Sequence, residues 1–161
     1  MGQLDANFFF RSSNFLIQSR EPMIQGWNND DYLILFEEQN EAIKMSERYV
    51  VSSSLPGYAL IGLKSWDDFI LQDAKNQFFT IPTVPLDLQY LQPFVFNVDL
   101  TKLRADQRFA DKIRWFIKPI IFGGDPSADA NTTWLSIDEH VEAVKWWNQF
   151  YRDAKQNKPS T

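Results

Sequence analysis

The stretch GGDPSADANTTWLSIDEH, residues 123–140, gathers a glycine pair, several carboxylates, hydroxyls and the chain's one histidine, the side-chain types from which hydrolytic and phosphate sites are built. Each of those chemistries has a spacing to meet. A phosphate loop sets its glycines between a strand and the start of a helix, with a lysine and a hydroxyl or with a third spaced glycine. Gly123-Gly124-Asp125-Pro126 has neither, Asp125 would repel phosphate, and the next helix start lies well downstream at Ser136. The segment therefore reads as a tight turn. A triad of Ser136, Asp138 and His140 fails on geometry, because neighbours on one helical turn splay around the axis and cannot converge on one reacting atom. His140 reads instead as a partly exposed residue in the first turn of a helix.

A single imidazole excludes His-His metal motifs, and the absence of cysteine removes thiolate chemistry and thiolate zinc sites. Any metal would have to be held by carboxylates alone, and neither metal nor cofactor is expected. The acid pairs Asp30-Asp31, Glu37-Glu38 and Asp67-Asp68 contain the groups for acid and base work. Adjacent side chains point apart, however, and a solvated face accounts for each pair. Trp66, between Ser65 and Asp67, is a large aromatic flanked by acids, a candidate recognition anchor with packing over a sheet as the alternative. Trp146-Trp147 on a helix would span about 100° of arc, placing one ring in the core and the other at its margin.

With 161 residues, 44% of them hydrophobic and 16% aromatic, the chain has the size and composition of one folded domain, 1–161. The formal charge is −5 and no cluster of Lys and Arg is present, so a nucleic-acid partner is not expected. An acidic excess suits solubility and also suits a basic protein partner. No apolar run approaches the ~20 residues of a membrane span, and the expected location is the cytoplasm.

The elements that must position these residues follow from periodicity. The type of residues 1–29 stays open. In NDDYLILFEEQNEAIKM, Asn29 or Asp30 can cap a helix carrying Leu33, Phe36 and Ile43 at helical spacing and ending before Tyr49. Tyr58–Leu63, Asp67–Gln72 and Gln77–Ile81 are short β-prone runs separated by turn chemistry, read as three antiparallel strands, with Pro82 and Pro85 ending the third. RADQRFADKIRWFIKP predicts a helix over 106–116 closed by Pro119. ThrThrTrpLeu is another extended run. Ser136 and Glu139 then form a capping box for a last amphipathic helix with Ile137, Val141, Val144 and Tyr151 on one face.

The run LPGYALIGLKSWDDFILQDAKNQFFTIPTVPLD, Leu55 to Asp87, resembles the central region of the SUKH superfamily, immunity proteins against secreted bacterial toxins. The shared features are the LeuProGlyTyr entry to a strand, an Ile-Gly end, an acidic hairpin partner ending at Asp73, and an aromatic strand running into Ile81-Pro82 and Val84-Pro85-Leu86-Asp87. LysSerTrpAspAsp stands where the family has a glycine-rich turn. The resemblance implies an α+β fold, a small antiparallel sheet with helices packed on it, here followed by a C-terminal extension over 118–157. It also implies a non-catalytic protein that binds and neutralises a cognate toxin, such as a nuclease delivered by a type VI or contact-dependent system. Acids and aromatics near the hairpin are the candidate contacts: Trp66 as anchor, Asp67 and Asp68 as partners for Arg or Lys, and Asp30, Asp31, Glu37 and Glu38 extending the field. The competing expectations are a small hydrolase using His140 with Asp125, Asp129 or Glu139, and an adaptor subunit.

Overall fold

The computed structural model describes residues 23–36 and 38–157, and the fold is α+β. Six strands form one antiparallel sheet in chain order: β1 (Ile24–Asn28), β2 (Asp31–Leu35), β3 (Tyr58–Lys64), β4 (Asp68–Asp73), β5 (Phe78–Pro82) and the short β6 (Gln92–Pro93). Between β2 and β3 lie α1 (Gln39–Arg48) and α2 (Val51–Ser54). A separate ribbon pairs β7 (Ile113–Phe116) with β8 (Thr132–Leu135), and α3 (Ile137–Gln156) closes the chain. No described helix is long and apolar enough to cross a membrane.

The three central strands form where the β-prone runs and turn residues place them, and their registers run without a break apart from one bulge between Leu60 and Gly62 in β3. That extra residue turns Leu60 and Leu63 to the same face although they are an odd number of positions apart. Gly62 has no room for a side chain, since a Cβ there would lie 2.3 Å from the Ile34 carbonyl oxygen. The β4–β5 turn is held by Asp73, whose Oδ1 accepts from the amides of Lys75 and Gln77, both at 2.9 Å.

Two segments differ from their sequence reading. Asp31–Leu35, expected to begin a helix, is a strand: Asn29, left-handed with φ 57°, and Asp30 form a two-residue turn that pairs Asn28 with Asp31. Helical spacing of Leu33 and Phe36 is outweighed by burial on both faces, with Tyr32 and Ile34 on one side of the sheet and Leu33 and Leu35 on the other. Only the second half of that segment is helical, and it stops at Arg48, before Tyr49 as expected. The helix expected over 106–116 is a turn followed by β7. Asp106 fixes the turn by accepting from the Arg108 amide at 3.0 Å and the Trp27 indole at 3.1 Å, and Asp111 takes a left-handed φ of 61°. Ile113 and Trp115 then alternate with the more exposed Arg114 and Phe116, a strand period.

One sheet face, carrying Tyr32, Ile34, Leu60, Leu63, Phe69, Leu71 and Ile81, shares a core with Met45 and Tyr49, Ile113 and Trp115, and Val141 and Val144 of α3. The 118–157 segment thus supplies core side chains through α3. Burying a residue such as Phe69 completely contributes about 1.5–3 kcal/mol relative to leaving it in water. The other face, with Leu33, Leu35 and Ile70, is covered by Leu103 together with Phe94, Phe96 and Val98 from the stretch before β7. Helix α3 opens with the expected capping box: the Ser136 amide donates to Glu139 Oε1 at 2.8 Å and the Glu139 amide to Ser136 Oγ at 3.2 Å.

Candidate functional site

The residues of the 123–140 stretch do not converge. Gly123 is left-handed at φ 93°, and a Cβ on Gly124 would collide with the Lys118 carbonyl oxygen. The Asn131 side chain clamps this reversal, accepting from the Lys118 amide at 2.8 Å and donating to its carbonyl at 3.0 Å. Asp125 accepts from the amide and hydroxyl of Ser127, which keeps its carboxyl below the usual range. The Gly123–Pro126 segment is a turn, as its spacing indicated. Ser136 caps α3, Asp138 pairs with Arg48 at 2.9 Å, and His140 faces the interior.

His140 corrects the expectation of partial exposure: it has 0% of its surface accessible. Its Nδ1 lies 2.7 Å from the Tyr49 hydroxyl, and its ring meets Trp115 edge-on at 5.4 Å. Burial pushes its pKa down to about 3, so it is a neutral core residue rather than a general base at the surface. Trp147 is partly buried against the core while Trp146 is 59% exposed, the division that adjacent positions on a helix impose.

Trp66 is also interior. It is 6% exposed, stacks on Tyr32 at 5.3 Å, and meets Phe109 at 5.1 Å and Trp134 at 5.3 Å edge-on. It therefore packs within its own chain instead of standing out as an anchor for a partner. Ser65 and Trp66 both take positive φ, 48° and 65°, in the β3–β4 turn. A bulky residue in that region is strained, and the surrounding rings hold it there. The consequence is positional: Trp66 turns inward and the following Asp67 and Asp68 face the cleft described next.

The structure gathers three of the candidate acids. Asp31 accepts from the Ser65 hydroxyl at 3.1 Å, and Lys64 Nζ stands 3.8 Å from Asp31 and 3.9 Å from Asp68. Asp67 is paired with Arg114 of β7, whose guanidinium lies 5.1 Å over the Trp66 ring and 5.2 Å over the Phe116 ring. Desolvation raises the pKa of Asp67 despite Arg114, and raises that of Asp68 despite Lys64. Asp30 is exposed at the β1–β2 turn, Glu38 is exposed beyond the far end of β2, and Glu37 lies outside the described residues. The candidate set is thus a compact group of Asp31, Asp67 and Asp68, with Glu38 apart from it.

Beside this group is a cleft of about 290 Å³ between the end of β5 and the turn after β7. Among the described residues, Asp67 and Asp68 are its only charged lining; Pro82, Thr83, Val84, Trp115, Phe116, Pro119, Ile120 and Ile121 make up the rest. The aliphatic rim is open to solvent, with Ile120 53% and Ile121 38% exposed. Sequence reasoning missed Thr83, Val84 and the Pro119–Ile121 wall. The available signal was the apolar Ile120-Ile121-Phe122 run following a proline, without a polar partner face. A cleft with apolar walls and two adjacent carboxylates is suited to an amphipathic cation. Among the described residues, no three His, Asp or Glu side chains group as metal ligands would. No protein-family model matches the chain, and no curated protein or solved structure matches it.

Proposed function

We propose that this chain is a non-catalytic immunity-type protein, expected in the cytoplasm, that binds and neutralises a cognate secreted bacterial toxin presenting a basic surface. The class of partner comes from the SUKH resemblance of Leu55–Asp87. The observation that supports the reading is the placement of Asp67 and Asp68 on an apolar cleft with exposed isoleucines, with Asp31 sharing Lys64 with Asp68. Apolar surface at the centre and charge at the edge is the usual division of labour in a protein interface, the first giving affinity and the second giving on-rate and discrimination.

The test is capture of the tagged chain from its native cells, identification of a stoichiometric partner, and co-expression of that partner with and without the chain. Relief of the partner's toxicity is the expected result. A further check is the double variant Asp67→Lys/Asp68→Lys, expected to weaken partner binding at least tenfold and to make protection fail. A partner that is harmless to cells without this chain, or protection that survives the charge reversal, would count against the reading.

A further inference from the structure

We propose that the cleft between β5 and the Pro119–Ile121 turn receives an arginine side chain from an extended loop of the partner protein. Its guanidinium lies on the Asp67 and Asp68 carboxylates, and an aliphatic neighbour in the same loop covers Ile120 and Ile121. This rests on the partner-binding reading and deepens it by naming the residue the partner supplies.

The size of the cleft comes first. At about 290 Å³ it falls at the small end of the range for ligand pockets, which fits a single long side chain better than a cofactor. Charge comes second. Among the described residues, Asp31, Asp67 and Asp68 share two cations, Lys64 and Arg114, so the three acids beside and in the cleft carry one negative charge more than the cations paired with them. The Lys64 contacts, 3.8 and 3.9 Å, are too long for hydrogen bonds, and Asp67 commits only Oδ2 to Arg114. Asp67 Oδ1 and the Asp68 carboxylate, both on residues lining the cleft, are therefore left with acceptor capacity among the described residues. Both side chains are partly covered, Asp67 40% and Asp68 34% exposed, and this partial desolvation is what raises their pKa values.

The choice of arginine over lysine follows from the walls. Trp115 and Phe116 are among the residues lining the cleft, and a planar guanidinium stacks on aromatic surfaces while presenting its donors in plane; an ammonium is a more strongly hydrated point charge. The chain already uses the same chemistry next to the cleft, where Arg114 pairs with Asp67 and lies over Trp66 and Phe116.

The decisive experiment is an amide and indole NMR titration of the ¹⁵N-labelled full chain with blocked tripeptides of sequence Leu-Arg-Leu, Leu-Lys-Leu and Leu-citrulline-Leu, taken to about 20 mM because a lone side-chain contact binds in the millimolar range. The expected result is a saturable shift of the Trp115 indole and the Thr83, Ile120 and Ile121 amides with the arginine peptide. Binding should be at least tenfold weaker for the citrulline peptide and clearly weaker for the lysine peptide. Asp68→Asn should weaken the arginine peptide about tenfold, and Ile121→Ser, which leaves the carboxylates intact, should weaken all three peptides together. Equal shifts with arginine and citrulline, a lysine peptide that binds as well as arginine, shifts centred on another surface, or no saturable shift would each overturn the proposal. The probe is defined independently of any toxin, so a toxin captured and neutralised alongside a failed titration would sink this arginine site alone. A successful titration with no neutralised toxin would leave the cleft standing and remove the immunity reading.

Discussion

His140 shows how far a single side chain can differ from what its type suggests. An imidazole in the first turn of α3 is reached by no solvent, bonds to Tyr49 through Nδ1, and leaves Nε2 without a partner among the described residues. Its folded pKa, about 3, lies below the ordinary value of 6.5. As pH falls, the unfolded chain takes up the proton first, so the stability His140 contributes is fully present above pH ~6.5 and is lost as pH drops toward 3, at up to about 1.4 kcal/mol per pH unit. Glutamine at this position keeps a hydrogen-bonding group and cannot titrate. Urea unfolding of the wild type and His140→Gln at pH ~7.5 and ~4.5 should therefore show the wild type losing about 2–3 kcal/mol more than the variant over that interval. Carboxylates titrate in both proteins and largely cancel. Parallel losses would mean that the imidazole is hydrated and protonated in the folded protein.

At the level of elements, α3 holds one wall of the cleft through a single buried amide. Asn148, in the middle of the helix, donates to the Thr83 carbonyl at 2.9 Å and accepts from the Leu86 amide at 2.8 Å. Those two backbone groups lie just past β5, where Pro82 has ended the strand, and no ladder is there to pair them. Asn148→Ala leaves them without a partner and should cost about 1–3 kcal/mol in thermal or urea unfolding, with faster hydrogen exchange at the Leu86 amide. Gln149→Ala, one position along on the exposed face, should change stability by less than about 0.5 kcal/mol. A similar loss at both positions would show that helix content, and not the clamp, was being measured. The central strands β3, β4 and β5 and the capped helix α3 were legible because their signals are local: short β-prone runs bounded by turn chemistry, as at Asp73–Asn76, and Ser136 three before Glu139. Asp31–Leu35 and Ile113–Phe116 were not. The four-residue apolar run Tyr32–Leu35, buried on both faces, carries no amphipathic period, and Ile113–Phe116 is shorter than a helical turn and a half, so each could be fitted to the wrong template until its neighbours in space were known.

Across the whole molecule the acids of the candidate site were legible and the cleft was not, because Asp67 and Asp68 form one wall while Pro119–Ile121 returns from the far side of the β7 strand to form the other. The same remoteness gives a test of whether the acids are there for stability or for binding. Desolvation holds the folded pKa of Asp68 above its unfolded value, so at neutral pH its charge is less comfortable in the folded chain than in the unfolded one. The sign is opposite to that of His140: the penalty is present above the folded pKa and disappears as pH falls through it. Asp68→Asn should accordingly melt at or above the wild-type temperature at pH ~7.5, and the gap should close as pH falls to the ordinary carboxylate range, about 4. Lys64, freed from its 3.9 Å contact, is partly exposed and regains water. A residue whose removal steadies the fold while weakening the captured partner is kept for the partner. A clear drop in melting temperature would instead make the Lys64–Asp68 contact a structural one, and would leave Asp67 as the cleft's remaining binding carboxylate.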